Sequence, residues 1–110
     1  MDGALRDHLL EQGCELLEAG RYEEADRALS LARDLRIDHA PTLAFLAMAR
    51  ARNAALPPED RARDADRLLR LAMQLAPVDP VVRRALIEVS GSNRLELLPP
   101  PALDRLASVS

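Results

Sequence analysis

Aromatic residues are scarce in this chain, and lysine is absent. Aromatic side chains make up 2% of the 110 residues and hydrophobic residues 48%, so the core must be built from Leu, Ala, Val and Ile. That composition suits helices packed on one another. The 15 basic residues are all arginine, and they are interleaved with 18 acidic residues to give a net charge of −3. Because no basic stripe results, we do not expect nucleic acid as a partner.

Cysteine occurs once, at Cys14, which excludes a disulfide within the chain and a cysteine-based metal cluster. His8 lies about 600° away around a helix and does not face the thiol. His39 falls in a turn and is expected to be solvated. The sequence has no glycine-rich phosphate loop, no metal-ligand spacing and no paired carboxylates in apolar surroundings. We therefore expect Cys14 to act as a small apolar residue, and we predict no enzyme, no cofactor and no metal.

Signals for secretion and membrane insertion are also missing. The first residues, MDGALRDHLLEQG, contain neither a basic segment nor an apolar segment of a signal peptide. No apolar run approaches the ~20 residues that cross a bilayer. The sequence therefore predicts a cytoplasmic protein that does not interact with a membrane.

One stretch, ADRALSLARDL at Ala25–Leu35, recurs 40 residues later as ADRLLRLAMQL at Ala65–Leu75. Seven of the eleven paired positions are identical. An internal repeat of this period is typical of solenoid proteins. Ala25 and Ala32 lie two turns apart on one helical face, where small side chains let another helix approach closely. Each copy is therefore predicted to be the second helix of a helical hairpin.

Leucine spacing and helix-breaking residues complete this division of the chain. Gly13 falls inside the first helix, where a neighbouring helix must pack against its bare backbone, and Gly20 is expected to cap that helix. Two prolines, Pro57 and Pro58, end a longer joint in the second hairpin. The predicted units are repeat 1 at about 5–37, repeat 2 at about 40–77, an extra helix at about 80–89, and a tail or cap at 91–110. Within them we expect helices over 5–19, from Tyr22 to about 35, over 41–53, from 59 to about 76, and over 80–89.

Residue spacing in the first hairpin resembles the tetratricopeptide repeat (TPR), whose consensus is about 34 residues long. Leu9 stands where that family usually has Trp, and Ile37 stands where it usually has Pro. The resemblance implies an all-α fold of antiparallel helical hairpins, stacked as a short right-handed TPR solenoid over residues 1–90. The matching residues are Leu9, Gly13, Leu16, Gly20, Tyr22, Glu24, Ala25, Leu29, Ala32 and Leu35.

The resemblance also implies a binding groove lined by the first helix of each hairpin. Members that bind heat-shock proteins clamp a C-terminal carboxylate with Lys, Asn and Arg. Leu10, Cys14 and Phe45 stand at such places here, so the groove is predicted to be apolar and to suit a hydrophobic or amphipathic segment. The alternative is that these side chains are ordinary inter-helix core. The groove positions are Asp7, Leu10, Cys14, Leu17, Ala44, Phe45, Met48, Arg52, Val81 and Ala85.

A function in protein binding without catalysis is the resulting expectation. Two hairpins and a fraction bury little surface alone, so a partner or the C-terminal segment is needed to cover the open end. Small size and an apolar groove also resemble the TPR chaperones of bacterial type III secretion, which hold a hydrophobic secreted subunit. A structural module that self-assembles is the competing interpretation, so the chain is a candidate homo- or hetero-oligomer.

Overall fold

The computed structural model describes residues 2–90, and these form helices joined by short connections with no β-strand. The all-α prediction is confirmed for this part of the chain. The predicted tail or cap at 91–110 lies outside the described residues. The five helices are α1 (Asp2–Glu18), α2 (Tyr22–Leu35), α3 (Ala40–Ala51), α4 (Pro58–Leu75) and α5 (Pro80–Ser90).

A glycine cap ends α1 and turns the chain into α2, as predicted. Gly20 has φ of +79°, a left-handed conformation that L side chains rarely adopt. Its backbone N–H donates to the Leu17 carbonyl at 3.1 Å, and the Arg21 N–H donates to the Leu16 carbonyl at 2.9 Å. This pair of bonds is the Schellman motif, which satisfies carbonyl groups that a helix end leaves free. The turn fixes the direction in which α2 leaves α1.

Gly13 lets α1 and α2 pack closely. A Cβ atom placed on Gly13 would lie 2.5 Å from Leu29 Cδ2, a separation that real atoms do not tolerate. Leu5 and Leu35 line the same pocket, so the start of α1 lies beside the end of α2 and the two helices are antiparallel. The predicted packing of a neighbouring helix against Gly13 is confirmed.

The repeated alanines occupy equivalent places in α2 and α4. Ala25 and Ala65 are both 0% exposed, and so are Ala32 and Ala72. The prediction that these four positions are close contacts is confirmed by their burial. A methyl group is the largest side chain that such positions accept without moving the helix beside them.

Helix α3 is the centre of the fold because it contacts all four other helices. Eight of its twelve residues are buried, including Leu43 and Leu46. Helix α2 packs on α3, and α5 packs on both α3 and α4. The core therefore runs along α3, and the second hairpin is held from both sides.

Polar residues and prolines set the limits of the later helices. Asp79 caps α5, since its Oδ1 accepts from the backbone N–H groups of Val81 at 2.8 Å and Val82 at 3.3 Å. Pro58 occupies the first turn of α4, where its missing N–H costs nothing. The prediction for the third helix, 41–53, extended two residues too far, because α3 ends at Ala51. Asn53 lies in the joint that follows, where its Oδ1 accepts from the Ala55 N–H at 3.0 Å.

Candidate functional site

A buried polar cluster joins the two hairpins, and the sequence analysis did not find it. Asp26 of α2 is 7% exposed, and its carboxylate accepts two hydrogen bonds from the Arg50 guanidinium, at 2.8 and 3.2 Å. The Asn53 side chain donates to it at 3.0 Å, and the Ser30 hydroxyl donates at 3.1 Å. We call these four residues the Asp26 cluster. It fixes the position of α3 against α2.

Electrostatics within the Asp26 cluster favour the charged carboxylate. Burial by itself would raise the pKa of Asp26, but the hydrogen bonds from Arg50, Asn53 and Ser30 together outweigh burial and lower it. The hydrogen bond to Asp26 raises the pKa of Arg50, so both partners remain ionised. Their spacing gave a partial signal, since Asp26 and Ser30, and likewise Arg50 and Asn53, are polar residues one helical turn apart.

Four of the predicted groove residues are buried in the core. Leu17 is 9% exposed, Ala44 0% and Met48 3%, and all three belong to the main hydrophobic cluster. Ala85, one of the two α5 residues of the predicted groove, is 0% exposed and belongs to the same cluster. The expectation that these side chains line an accessible groove is corrected by their burial. The reason for Ala44 and Met48 is the central position of α3, which contacts all four other helices.

The side of α3 that remains accessible carries Pro41 and Phe45, and Arg52 lies just beyond the end of the helix. Pro41 and Phe45 are half-buried and one turn apart, and Arg52 follows two turns after Phe45 and is exposed. The Arg52 guanidinium lies 5.6 Å from the centroid of the Tyr22 ring and donates to the Tyr22 hydroxyl at 3.2 Å. This cation–π contact holds Arg52 at the end of the accessible strip.

Helix α1 presents the other predicted groove residues. Leu10 and Cys14 are half-buried and lie one turn apart, with the exposed Glu18 one further turn along the same face. On α5, Val81 is half-buried and packs against the core, as Leu10 does. Asp7 is exposed and pairs with Arg6 at 2.9 Å. Leu10, Cys14, Phe45 and Val81 therefore keep part of their surface free, and Arg52 is open to solvent.

One ion pair links α1 and α5 close to Cys14. Arg84 of α5 lies 3.8 Å from Glu18 of α1 and 3.2 Å from Glu88. Burial raises the pKa of the Cys14 thiol, and the nearby Arg84 charge opposes this shift only in part. The thiol is therefore protonated at neutral pH, which makes it a weak nucleophile.

His39 is not simply solvated, contrary to the sequence prediction. Its Nδ1 lies 2.7 Å from the hydroxyl oxygen of the buried Thr42, at the start of α3. Burial, together with the charges of Arg6 and Arg36, lowers the pKa of His39. The ring therefore stays neutral at pH 7 and takes part in starting α3.

Leucines form an apolar patch on the outer end of the first hairpin. Leu5, Leu9, Leu31 and Leu35 line one open pocket together with Asp34, and we call the four leucines the leucine patch. Leu5 is 51% exposed and Leu31 55%, high values for such side chains. The patch lies on α1 and α2, away from α4 and α5.

Within residues 2–90, no three His, Cys, Asp or Glu side chains come close enough to hold a metal ion. None of the helices in that range is both long and apolar enough to cross a membrane.

Comparisons with protein-family models, with curated proteins and with solved structures find no match to this chain. The described residues are thus characterised by their own structure, which is all-helical, with a central helix, a buried polar cluster and a half-buried apolar strip.

Proposed function

We propose that the chain is a short array of tetratricopeptide-type hairpins and that it binds a segment of another protein without catalysis. The repeat supports the stacking, because residues 40 positions apart have the same environment. Leu29 and Leu69 are both fully buried, whereas Leu31 and Leu71 are both exposed. A capped first hairpin and a helix that contacts all its neighbours also fit stacked hairpins.

The accessible strip of α3 carries the proposed binding function. A chain with few aromatic residues keeps its single Phe, Phe45, half-exposed on its most buried helix. Leu10 and Cys14 on α1 and Val81 on α5 extend this surface on the helices to either side. Buried aromatic anchors contribute a large part of binding energy in many interfaces. Together these side chains form the proposed binding face, with Arg52 at its end.

Charge on α1 indicates the chemistry of the partner. Glu11, Glu15 and Glu18 are exposed on this helix beside Leu10 and Cys14. Glu18 forms an ion pair with Arg84, but Glu11 and Glu15 form none with another described residue. A partner segment with apolar residues flanked by Arg or Lys would match this border. An amphipathic basic segment of a protein, such as one that a chaperone holds, is therefore the proposed ligand class.

Peptide selection with a matched pair of variants tests the binding face. Random 16-residue peptides are selected on the immobilised full chain, and the enriched peptides are measured against Phe45→Glu and Ile37→Glu. Ile37 is 74% exposed in the turn after α2, so it controls for the added charge alone. Phe45→Glu should weaken binding by at least ~2 kcal/mol, about thirtyfold, because a carboxylate must be buried against the apolar ligand. Ile37→Glu should change it little.

Circular dichroism of both variants must first show an intact helical fold. Enriched peptides should combine apolar residues with Arg or Lys, and their affinity should fall with added salt. Equal affinity of Phe45→Glu and wild type would remove Phe45 from the binding site. Enrichment of acidic peptides would contradict the charge argument.

Self-assembly is the second candidate function, and the leucine patch favours it. The patch leaves apolar side chains exposed at one end of the first hairpin, as an interface between copies would require. Leu31→Glu should dissolve a self-associated form, whereas Leu71→Glu, at the equivalent place in the second repeat, should not. Sedimentation over a range of concentrations measures this. A wild type that stays monomeric at high concentration contradicts self-assembly through the patch.

A further inference from the structure

Among residues 2–90, no second helix covers the face of α5 that carries Ile87, whereas α1 and α3 each have a second helix on the equivalent face. Gly13 of α1 packs against Leu29 of α2, and Ala47, its equivalent in α3, is 0% exposed. The 40-residue period places Ile87 of α5 at the position of Ala47. Ile87 is 71% exposed, the exposure expected for a first helix whose second helix is not in place. An apolar side chain thus marks an uncovered helix face.

The sequence after α5 repeats the features that lead from α3 into α4. Asn53 is followed by a short joint that ends in Leu56-Pro57-Pro58, and Asn93, 40 residues later, is followed by one that ends in Leu98-Pro99-Pro100. The Asp-Arg pair of α2 and α4, at 26–27 and 66–67, occurs a third time at 104–105.

Residue sizes at the paired positions are reversed in the third unit. Counting three residues on from the Asp of each Asp-Arg pair gives Leu29, Leu69 and Ala107. Leu29 packs against the small Gly13, and the repeat assigns Leu69 to the equivalent small Ala47; Leu69 and Ala47 belong to the same buried cluster. In the third unit a large side chain, Ile87, would face the small Ala107. The summed volume of each pair is thereby kept within a range that a packed interface accepts.

Polar residues show the same kind of exchange. Asp26 is bound by Ser30 of its own helix and by Arg50 and Asn53 of the next hairpin. Forty residues later the corresponding set is Asp66, Arg70, Ser90 and Asn93, with Ser and Arg exchanged. Arg70 donates to Asp66 Oδ2 at 2.8 Å, as the exchange requires. Asp66 Oδ1 is buried and has no hydrogen-bond partner among residues 2–90.

We propose that the uncovered face of α5 is the docking site of the chain's own segment 101–107. The pairs to be tested are Ala107 with Ile87, and the Asn93 side chain with Asp66 Oδ1, by analogy with the hydrogen bond from Asn53 to Asp26. The connection from Ser90 to Pro101 is long enough for this return, since α3 and α4 are joined by fewer residues. A segment docked there would cover a face that the described hairpins leave exposed.

Disulfide trapping tests the contact directly. The only native cysteine is removed as Cys14→Ser, and Ile87→Cys is combined with Ala107→Cys in the full chain. A bridge within one chain should form in most molecules, because a packed pair brings Cβ atoms to about 4 Å. Val78→Cys with Ala107→Cys is the control, since Val78 is 79% exposed in the turn before α5, more than two helical turns from Ile87. Bridges between two chains, or equal yields from both pairs, would overturn the proposal.

Size exchange gives a second, independent measurement. Ala107→Leu alone should lower the thermal midpoint by about 4 °C or more, because Leu would clash with Ile87. Adding Ile87→Ala should restore most of that loss, since it recreates the Ala47 and Leu69 pair. Losses that simply add in the double variant would show that the two residues do not meet.

The hydrogen bond to Asp66 is tested by a cycle of variants. Asn93→Ala should lower the thermal midpoint of the wild type but leave that of Asp66→Ala unchanged, because the acceptor is already gone. A similar loss in both backgrounds would show that Asn93 does not reach Asp66 and would contradict the proposed docking.

Discussion

At the scale of single residues, stability depends on a few positions that accept only one kind of side chain. Gly13, Gly20 and Ala25 leave no room or no conformational freedom for anything larger. The Asp26 cluster adds a requirement of charge, because a buried guanidinium needs its carboxylate. A larger side chain at Ala25 and the loss of charge at Asp26 should therefore both destabilise the fold.

Ala25→Leu should overpack the interface between α2 and its neighbours. Ala25 is fully buried, so the extra atoms must displace other core side chains, at a cost of about 1–3 kcal/mol. Chemical denaturation measures the change in free energy of unfolding. Leu31→Ala, on the exposed side of the same helix, is the control and should cost much less. A loss of a few tenths of a kcal/mol for Ala25→Leu would contradict the close packing.

Asp26→Asn should destabilise the fold in a way that depends on pH. At neutral pH it leaves Arg50 buried without its counter-charge, which costs about 3 kcal/mol, at the low end for buried pairs because Arg50 keeps some solvent contact. The folded-state pKa of Asp26 lies below its usual value of 3.8. Its contribution is therefore full above about pH 4 and is lost as pH falls through the folded-state value.

Denaturation of wild type and Asp26→Asn at a series of pH values checks this. The difference in free energy of unfolding should stay constant from pH 7 to about 4 and shrink below that. Asp34→Asn, at an exposed ion pair of the same helix, should differ little from wild type throughout. A difference between wild type and Asp26→Asn that does not change with pH would show that the carboxylate charge is not what holds Arg50.

At the scale of helices and joints, local sequence signals predicted the limits well. Gly20 caps α1 as expected, and α4 begins at Pro58, one residue before the predicted start, because glycine and proline act through their own backbone geometry. The Asp26 cluster was missed for the opposite reason. Asp26 and Asn53 are 27 residues apart, so no local pattern connects them, and a charged residue on an Arg-rich helix is usually solvated.

The joint between α3 and α4 is expected to tolerate shortening as long as Asn53 is kept. Residues 54, 55 and 57 are exposed, whereas Asn53 is buried and belongs to the Asp26 cluster. Replacing Ala54-Ala55 by a single Gly should change the free energy of unfolding by less than about 1 kcal/mol, because loop length has a weak entropic cost. The matched variant Asn53→Ala in the full-length joint should cost more.

Chemical denaturation of both joint variants measures these costs. If the shortened joint were less stable than Asn53→Ala, the exposed part of the joint would have the structural role. Loss of peptide binding by a stable shortened joint would give that part a role in function instead.

At the scale of the whole molecule, the repeat predicted which elements are equivalent but not how deeply each is covered. Met48 and Ala44 follow a groove pattern in sequence, yet both are buried because α3 contacts every other helix. Such coverage depends on the number of neighbours, which a single repeat does not encode. Phe45 of the same helix keeps part of its surface exposed, although it packs against the core.

The Asp26 cluster also gives the molecule a polarity. Its carboxylate belongs to one hairpin, and its guanidinium and amide belong to the hairpin that follows. The two surfaces are unlike each other, and inverting one of these two hairpins would set like charges together. Anyone lengthening this protein by design would therefore copy Asp and Ser onto each added second helix, and Arg and Asn onto the first helix after it. In such a design, the placement of the charges would set the order and direction of the hairpins.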